Sequence, residues 1–305
     1  MTNAAVDKKP SEPEVEFEMS PIPSNPLGEG RWIRTAAALI IGDEILNGKT
    51  VDTNSTYFAR FCFERGIELK RIEVIADDED EIIEASRRMA KNYDFVVTTG
   101  GIGPTHDDIT YESLAKGFGQ PLEHHAETLR RMAELSRNNK LMAQQTEEQR
   151  TARFRMALLP ASAEALFVTK DLWVPVVRLE GKLCVFPGVP RLFRRLLDSL
   201  VPYLPLPPPS ARPFRHLIFT TLPESNIAPY LTSLQNRVKD AGVKIGSYPL
   251  IRKGVTVSLI GPDEAMVREL GVEVAKELKG EVVTEEQQVG DEMDVDANLP
   301  APGKK

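Results

Sequence analysis

The fold is decided at residues 94–110, which read DFVVTTGGIGPTHDDIT. The apolar residues Phe95 to Val97 predict a short buried strand, and a helix is predicted from about Ile109 to Phe118. Between them, three glycines let the backbone turn sharply and come close to a ligand. Free backbone N–H groups at the start of the helix favour an anion. The stretch therefore predicts strand, phosphate-binding loop and helix, although a glycine-rich turn without a ligand fits the same residues.

Segments on both sides of this loop alternate between predicted strands and helices. Such βαβ units predict an α/β fold, with a three-layer, mostly parallel sheet and helices on both faces. Ligands in such sheets bind at the carboxyl ends of the strands, where Asp43 and the Gly100 loop both lie. The predicted strands are 35–41, 69–75, 94–99 and 183–186, and the predicted helices are 53–65, 79–92, 109–118 and 192–200.

A run of prolines marks the boundary between two predicted domains. Residues 202–209 read PYLPLPPP, and proline continues neither a helix nor a central strand. We predict a larger domain over residues 31–205 and a small α+β domain over residues 206–280. In the small domain, strands are predicted at 215–220, 244–248 and 255–260, and helices at 225–238 and 263–278.

Negative charge is concentrated at the two ends of the chain. Residues 1–30 hold six acids and two bases, which gives −4, and residues 281–305 hold seven acids and two bases, which gives −5. The total is −7, so the part between carries +2. Because segments rich in Pro, Glu, Gln and Asp bury little apolar surface, both acidic ends are predicted to be disordered tails. The middle has no basic tract with interleaved aromatics, which argues against nucleic-acid binding.

Other features bear on where the protein works. The longest apolar run, 36–41, is far shorter than the ~18 residues that predict a membrane span. Residues 1–30 contain no apolar core of a secretion signal and no Arg-rich amphipathic stretch. Cys62 and Cys184 lie in apolar segments, which is typical of buried thiols in a reducing compartment. We therefore expect a cytoplasmic protein with no membrane partner.

Two adjacent aspartates, Asp107 and Asp108, follow the glycines. Carboxylates beside a phosphate repel it unless a cation lies between them, which is how hard divalent metals are commonly held. The pair therefore indicates a metal-bridged phosphate, while in the alternative interpretation Asp108 only caps the helix. In the same loop, His106 is expected to contact phosphate, to donate a proton or only to orient the loop.

A second acidic segment follows the first strand. Asp43 and Glu44 are candidate ligands, whereas Asp52 or Thr53 fits a helix cap. The acidic run 77–81 is more typical of a solvated helix start. The sequence has no G-x-S-x-G elbow, no Walker A lysine and no G-x-G-x-x-G fingerprint, which disfavours a P-loop NTPase and a Rossmann dehydrogenase.

These motifs together resemble the molybdopterin-binding-like (MoaB/MogA) superfamily. The resemblance is strongest to the N-terminal domain of eukaryotic FAD synthases and to the CinA N-terminal domain, and it implies a MogA-like fold. It covers roughly residues 35–260, and the glycine–aspartate loop is its most specific part. It is carried by GDEIL (42–46), DTN (52–54), TGGIGPTHDDIT (99–110), FPGVP (186–190), LFRRLL (192–197), ESNIA (224–228) and GSYP (246–249).

The resemblance implies two different activities. MogA-type members bind molybdopterin and adenylylate it, whereas the CinA and FAD synthase domains are associated with metal-dependent hydrolysis of ADP-ribose or FAD. The stronger resemblance favours a FAD or ADP-ribose pyrophosphatase that releases AMP, with magnesium or cobalt as divalent metal and potassium as a further ion. The alternatives are molybdopterin binding or adenylylation, and a non-catalytic nucleotide-binding protein. Because little sequence follows Leu278, we expect no FAD synthase domain.

The resemblance also implies roles for single residues. Asp43, Asp77 and Asp108 are expected to be catalytic, and Asp107 and Asp108 to be metal ligands. Superfamily members often self-associate, so we expect a homo-oligomer whose small-molecule partner is FAD, ADP-ribose or molybdopterin. The residues expected to hold phosphate are Gly100, Gly101, Gly103, Thr105 and Thr110, with Asn54 as a weaker choice.

Overall fold

The protein is described by a computed structural model of residues 15–137 and 139–284. Contacts divide the chain into two compact units, one ending at Pro207 and the next beginning at Pro208. The parts of the predicted tails at 1–14 and 285–305 lie outside the described residues. Within those that are described, no helix is long and apolar enough to cross a membrane.

The first unit is built around a six-stranded mixed sheet. The strands of this unit are β1 (Thr35–Ile41), β2 (Glu68–Ile75), β3 (Phe95–Thr99), β4 (Leu122–His124), β5 (Leu158–Pro160), β6 (Glu164–Leu166), β7 (Val176–Leu179) and β8 (Leu183–Phe186). Their order in the sheet is β2-β1-β3-β8-β7-β6, and β4 and β5 form a separate antiparallel pair. The pairs β1–β2, β1–β3 and β3–β8 are parallel, whereas β7 runs antiparallel to β8 and to β6.

Helices cover both faces of this sheet. Ala38 of β1 faces one core together with Phe58 and Phe193, while its neighbour Leu39 faces the other core together with Leu114. The alternation follows from the two-residue period of a strand, and it confirms the predicted three-layer α/β fold. The helices of the unit are α1 (Asp43–Leu46), α2 (Asn54–Glu64), α3 (Glu79–Asn92), α4 (Thr110–Gly117), α5 (Ala126–Ser136), α6 (Lys140–Ala143), α7 (Glu147–Arg155) and α8 (Pro190–Ser199).

The antiparallel edge of the sheet was not predicted from the sequence. In β7 an arginine, Arg178, interrupts an otherwise apolar run, although its side chain is only 2% exposed. This burial is compatible with its charge because Glu164 of β6 forms an ion pair with it. The ion pair joins two short strands whose sequences show no alternation of apolar and polar residues from which a strand could be predicted.

The second unit forms the predicted small α+β module. Its elements are β9 (Phe214–Thr220), α9 (Glu224–Val238), β10 (Lys244–Leu250), β11 (Gly254–Gly261), α10 (Glu264–Glu277) and β12 (Glu281–Val283). The sheet is fully antiparallel, in the order β10-β11-β9-β12. Ile218 and Val257 from the sheet pack with Leu234 and Val267 from the two helices.

The predicted tails are wrong where the structure describes them. Phe17 is only 6% exposed, and the Arg131 guanidinium lies 4.7 Å from its ring centroid. The N–H of Phe17 donates to the Lys170 carbonyl at 2.6 Å. The acidic composition of this segment predicted disorder, but the segment also contains Phe17, which packs against Arg131. At the other end, β12 extends the second sheet beside β9, so the predicted tail begins with a strand.

Candidate functional site

The glycine loop after β3 is shaped by close contacts. Gly100 and Gly101 have φ values of 112° and 64°, which side chains rarely adopt. A Cβ on Gly100 would collide with the carbonyl oxygen of Ile41 at the end of β1. A Cβ on Gly101 would collide with the hydroxyl of Thr110 in α4. Both positions therefore require glycine, and the loop is fitted between β1 and the start of α4.

Thr110 closes the loop from the other side. Its side chain is fully buried, and its hydroxyl donates to the Gly100 carbonyl at 2.9 Å. Its N–H donates to the Gly101 carbonyl at 3.0 Å. These two bonds fix the backbone of the glycines against the first turn of α4. Direct contact between Thr110 and a phosphate stays a prediction.

Asp108 holds the tip of the loop. One carboxylate oxygen accepts from the N–H of Gly103 at 2.6 Å, and the other accepts from the N–H and hydroxyl of Thr105 at 2.9 and 2.5 Å. The alternative interpretation, in which Asp108 caps the helix, is wrong, because its carboxylate accepts from Gly103 and Thr105 and from no N–H group of α4. Asp108 shapes the loop in this structure, and its expected roles as catalyst and metal ligand stay predictions.

Carboxylates from separate segments gather beside Gly101. The half-buried Asp77 follows β2, and its Oδ2 accepts from the N–H of Asp43 at 3.0 Å. Burial raises the pKa of Asp77; the hydrogen bond from Asp43 opposes this shift, and the negative charges of Asp43, Glu44 and Asp107 add to it. The structure thus brings Asp43, Asp77 and the loop to the carboxyl edge of the sheet.

This acidic cluster is not a complete metal site. Throughout residues 15–137 and 139–284, no group of three or more His, Cys, Asp or Glu side chains is arranged to hold a metal ion. Magnesium is commonly bound by one or two carboxylates together with phosphates of a ligand. Burial is the main cause of the raised pKa of Asp77, and the carboxylates around it add to the shift. Metal binding at this edge stays a prediction.

Asn54 ties the floor of the site together. It begins α2 and is 5% exposed; its side-chain NH₂ donates to the Thr99 hydroxyl at 3.1 Å and to the Gly188 carbonyl at 2.9 Å. The Thr99 hydroxyl donates in turn to the Pro187 carbonyl at 2.9 Å. The loops after β3 and β8 are thereby joined. No role was predicted for Thr99 or Gly188, although Thr99 belongs to the motif at 99–110 and Gly188 to the motif at 186–190.

The carbonyl oxygen of Asn54 has no hydrogen-bond partner. Leaving such a buried group unpaired costs about 1–3 kcal/mol. Asn54 lines a cleft of about 60 Å³ next to Gly100 and Gly188. Near its rim, Asp52 accepts from the N–H groups of Asn54 and Ser55 at 2.9 and 3.0 Å, which agrees with its interpretation as a cap.

Two family models match adjacent parts of the chain. Residues 37–206 match a probable molybdopterin binding domain, and residues 212–287 match the middle domain of FAD synthase. A probable FAD synthase from Caenorhabditis elegans is 33% identical over 238 residues, which cover 72% of this chain and 44% of the relative. A protein from Pyrococcus horikoshii is 34% identical over 223 residues, which cover 70% of this chain and 84% of that protein. The chain thus spans less than half the length of the C. elegans relative.

Solved structures resemble part of the chain. The CinA protein from Thermoplasma acidophilum is 31% identical, with a TM-score of 0.48, over 55% of this chain and 96% of its own. The molybdopterin biosynthesis enzyme MoaB from Thermus thermophilus is 22% identical, with a TM-score of 0.35, over 57% of this chain and 92% of its own. Both TM-scores lie below 0.5.

The matches correct the expected enzyme class. The prediction that the chain has no FAD synthase domain is wrong, because residues 212–287 match the middle domain of FAD synthase. The prediction of a FAD or ADP-ribose pyrophosphatase is contradicted as well, since relatives from C. elegans and Caenorhabditis briggsae are named probable FAD synthases. The small-domain motifs at 224–228 and 246–249 lie inside the matched region.

The resemblance to the molybdopterin-binding-like superfamily is confirmed. The first match spans more than half of the chain and contains every strand of the six-stranded sheet except the first two residues of β1. It also contains the glycine loop, Asp43, Asp77 and Asn54. The chain belongs to the family of probable molybdopterin binding domains.

Proposed function

We propose that the first unit binds a phosphate-bearing pterin or nucleotide at the carboxyl edge of its sheet. The observation that carries the proposal is the loop from Gly100 to Thr110, in which close contacts force glycine at two successive positions. Such a rigid loop between a strand and a helix brings backbone close to a ligand at the positive end of the helix dipole. Membership in the molybdopterin-binding family supports the pterin as one ligand class.

We further propose that a divalent cation, magnesium or cobalt, binds together with the phosphate. Asp77 would hold it, with Asp43 or Asp107 as the second carboxylate and phosphate oxygens completing the shell. The cation would offset the repulsion between phosphate and this acidic edge. Three further expectations stay predictions: potassium as a further ion, self-association of the chain and a cytoplasmic location. Light scattering of the purified protein tests the self-association.

Two alanine variants test the proposed binding site. Gly101→Ala adds a Cβ that collides with the Thr110 hydroxyl, whereas Gly119→Ala adds a Cβ in open space at nearly the same φ, 66° against 64°. Both variants therefore carry similar backbone strain, and only the first distorts the loop. We expect calorimetric titration with magnesium pyrophosphate to give about tenfold weaker binding for Gly101→Ala, which corresponds to about 1.4 kcal/mol.

The control variant Gly119→Ala should bind as the wild type does. Equal losses in both variants would mean that strain alone weakens binding, and would remove the support for this loop. Failure of the wild-type protein to bind pyrophosphate, ATP or a phosphorylated pterin would contradict the proposed function.

A further inference from the structure

The orientation of the Asn54 side-chain amide is fixed by its neighbours. The Gly188 carbonyl can only accept a hydrogen bond, so the group that faces it must be the NH₂. The Thr99 hydroxyl donates its hydrogen to the Pro187 carbonyl. Towards Asn54 it can therefore only accept, and the group it accepts from is again the NH₂. Both hydrogens of the amide are therefore used. The Asn54 carbonyl oxygen remains as a buried acceptor without a donor.

A ligand phosphate does not satisfy this oxygen. A phosphate offers oxygens, and the Asn54 carbonyl needs an N–H or O–H group. Two of the polar groups that line the cleft, the carboxylates of Glu44 and Asp52, also repel an anion. The chemistry of this oxygen therefore favours another task for Asn54, and the phosphate contact that the resemblance implies stays a prediction.

The cleft, with a volume of about 60 Å³, has room for the edge of a flat heterocycle rather than for a whole ring system. Ile40, Ile45, Val51 and Pro190 supply apolar surface around Asn54. Heterocycles bind well between apolar walls when a few polar groups fix their orientation. Gly100, the first residue of the phosphate-binding loop, lines the same cleft, so one ligand can reach both places.

We propose that the carbonyl oxygen of Asn54 accepts a hydrogen bond from the amino group of a nitrogen heterocycle, so that this cleft selects the base of the ligand. The inference rests on the proposed function, because the loop would hold the phosphate of the same ligand. Adenine and a pterin both carry such an amino group. Discrimination against an oxo group follows, since two facing acceptors leave the buried carbonyl unpaired and repel each other.

Two pairs of compounds that exchange one amino group for an oxo group test the inference. AMP and IMP differ in this way at the purine, and pterin and lumazine differ in this way at the pteridine. Dissociation constants for all four are measured on the full chain by calorimetry. We expect the amino compound of one pair to bind about tenfold more tightly than its oxo partner, and the pair that discriminates identifies the source of the heterocycle.

Substitutions then assign the discrimination to Asn54. Asn54→Ala should bring the ratio of the two dissociation constants to about 1, whereas Thr99→Val should weaken both compounds alike and keep the ratio, because it leaves the Asn54 carbonyl in place. Equal weakening of amino and oxo compounds by Asn54→Ala would overturn the inference.

Measurements on the wild-type protein alone distinguish failure of the inference about Asn54 from failure of the proposed phosphate site. If it binds pyrophosphate but prefers neither AMP over IMP nor pterin over lumazine, the inference about Asn54 is wrong and the proposed phosphate site stands. If it binds neither pyrophosphate nor any of the four compounds, the proposed function fails and the inference fails with it.

Discussion

The hydroxyl of Thr110 and the glycines Gly100 and Gly101 stabilise one loop conformation together, through a hydrogen bond and a close contact. Thr110→Val keeps the shape of the side chain but leaves the Gly100 carbonyl without its donor at 2.9 Å. We expect a loss of about 1–3 kcal/mol in the free energy of unfolding, because the site is buried, together with weaker pyrophosphate binding. Urea unfolding and calorimetric titration measure the two effects.

The matched control is Thr232→Val in α9. Its hydroxyl also donates to a backbone carbonyl, that of Ala228 at 2.9 Å, but it is exposed, so water replaces the bond. We expect a change within about 0.5 kcal/mol. A similar loss in both variants would contradict the special role of Thr110.

Asp108 and Asp107 are expected to act differently although they are adjacent. Asp108→Asn disturbs three hydrogen bonds from Gly103 and Thr105, so pyrophosphate binding should weaken about tenfold both with magnesium and with EDTA. Asp107, which is exposed, should matter only when magnesium is present. If Asp108→Asn loses affinity only with magnesium, Asp108 is a metal ligand rather than the residue that shapes the loop.

Part of the site could be predicted at the residue scale. The glycines and Thr110 were found because a glycine-rich turn before a helix has a characteristic local pattern. The roles of Asn54, Thr99 and Gly188 depend on contacts between residues as much as 134 positions apart, which no local pattern encodes. The capping role considered for Asp108 was wrong because its side chain turns back to the loop instead.

Among the secondary-structure elements, the segment before β1 contributes unexpected packing. Phe17→Ala should lower the free energy of unfolding by about 3 kcal/mol, since the ring is buried under the guanidinium of Arg131. Met19→Ala is the control: this side chain is 49% exposed, so its change should stay within about 0.5 kcal/mol. If Phe17→Ala unfolds at the same urea concentration as the wild type, the segment adds no stability, and the interpretation of this segment as a disordered tail would be correct after all.

Helix α5 carries an ion pair whose contribution depends on pH. Hydrogen bonds from Arg130 and then Arg131 lower the pKa of Glu127 from 4.5 to about 2. A lowered carboxyl pKa means that the unfolded chain binds more protons, so the stabilisation is complete above pH 4.5 and is lost as pH falls from 4.5 towards about 2. Glu127→Gln should therefore cost about 1 kcal/mol near neutral pH, allowing for solvent screening, and progressively less in acid.

Urea unfolding between about pH 7 and pH 3 measures this difference. The exposed Glu123 of β4 serves as control for the loss of one negative charge through Glu123→Gln, whose cost near neutral pH should stay within about 0.5 kcal/mol. A cost for Glu127→Gln that is constant over this range would contradict the linkage.

Elements with a clear local pattern were predicted well, whereas the two strands at the antiparallel edge of the first sheet were missed. The helix Glu79–Asn92 and the strand Thr35–Ile41 were predicted at their observed bounds because the helix is amphipathic and the strand is a continuous apolar run. The strands Glu164–Leu166 and Val176–Leu179 have three and four residues, too few to show a period, and pairing across the sheet stabilises them. Short edge strands of this kind depend on tertiary contacts rather than on local sequence.

For the whole molecule, each unit contains its own hydrophobic core and its own sheet. The residues of the candidate site all come from the first unit, and they lie at the ends of its parallel strands. This placement is the general one for ligands of parallel sheets, which is why the position of the site could be predicted before its detailed contacts. The ligand class rests on the loop and on the family, so binding is the claim that most needs a test.

The most direct test is an NMR titration of the ¹⁵N-labelled full chain with magnesium pyrophosphate. We predict that the backbone amide signals of Gly101, Gly103, Thr105 and Thr110 shift as ligand is added, while those of β9–β12 stay unchanged. Shifts that are absent from this loop, or that are largest in the second unit, would contradict the proposed phosphate site.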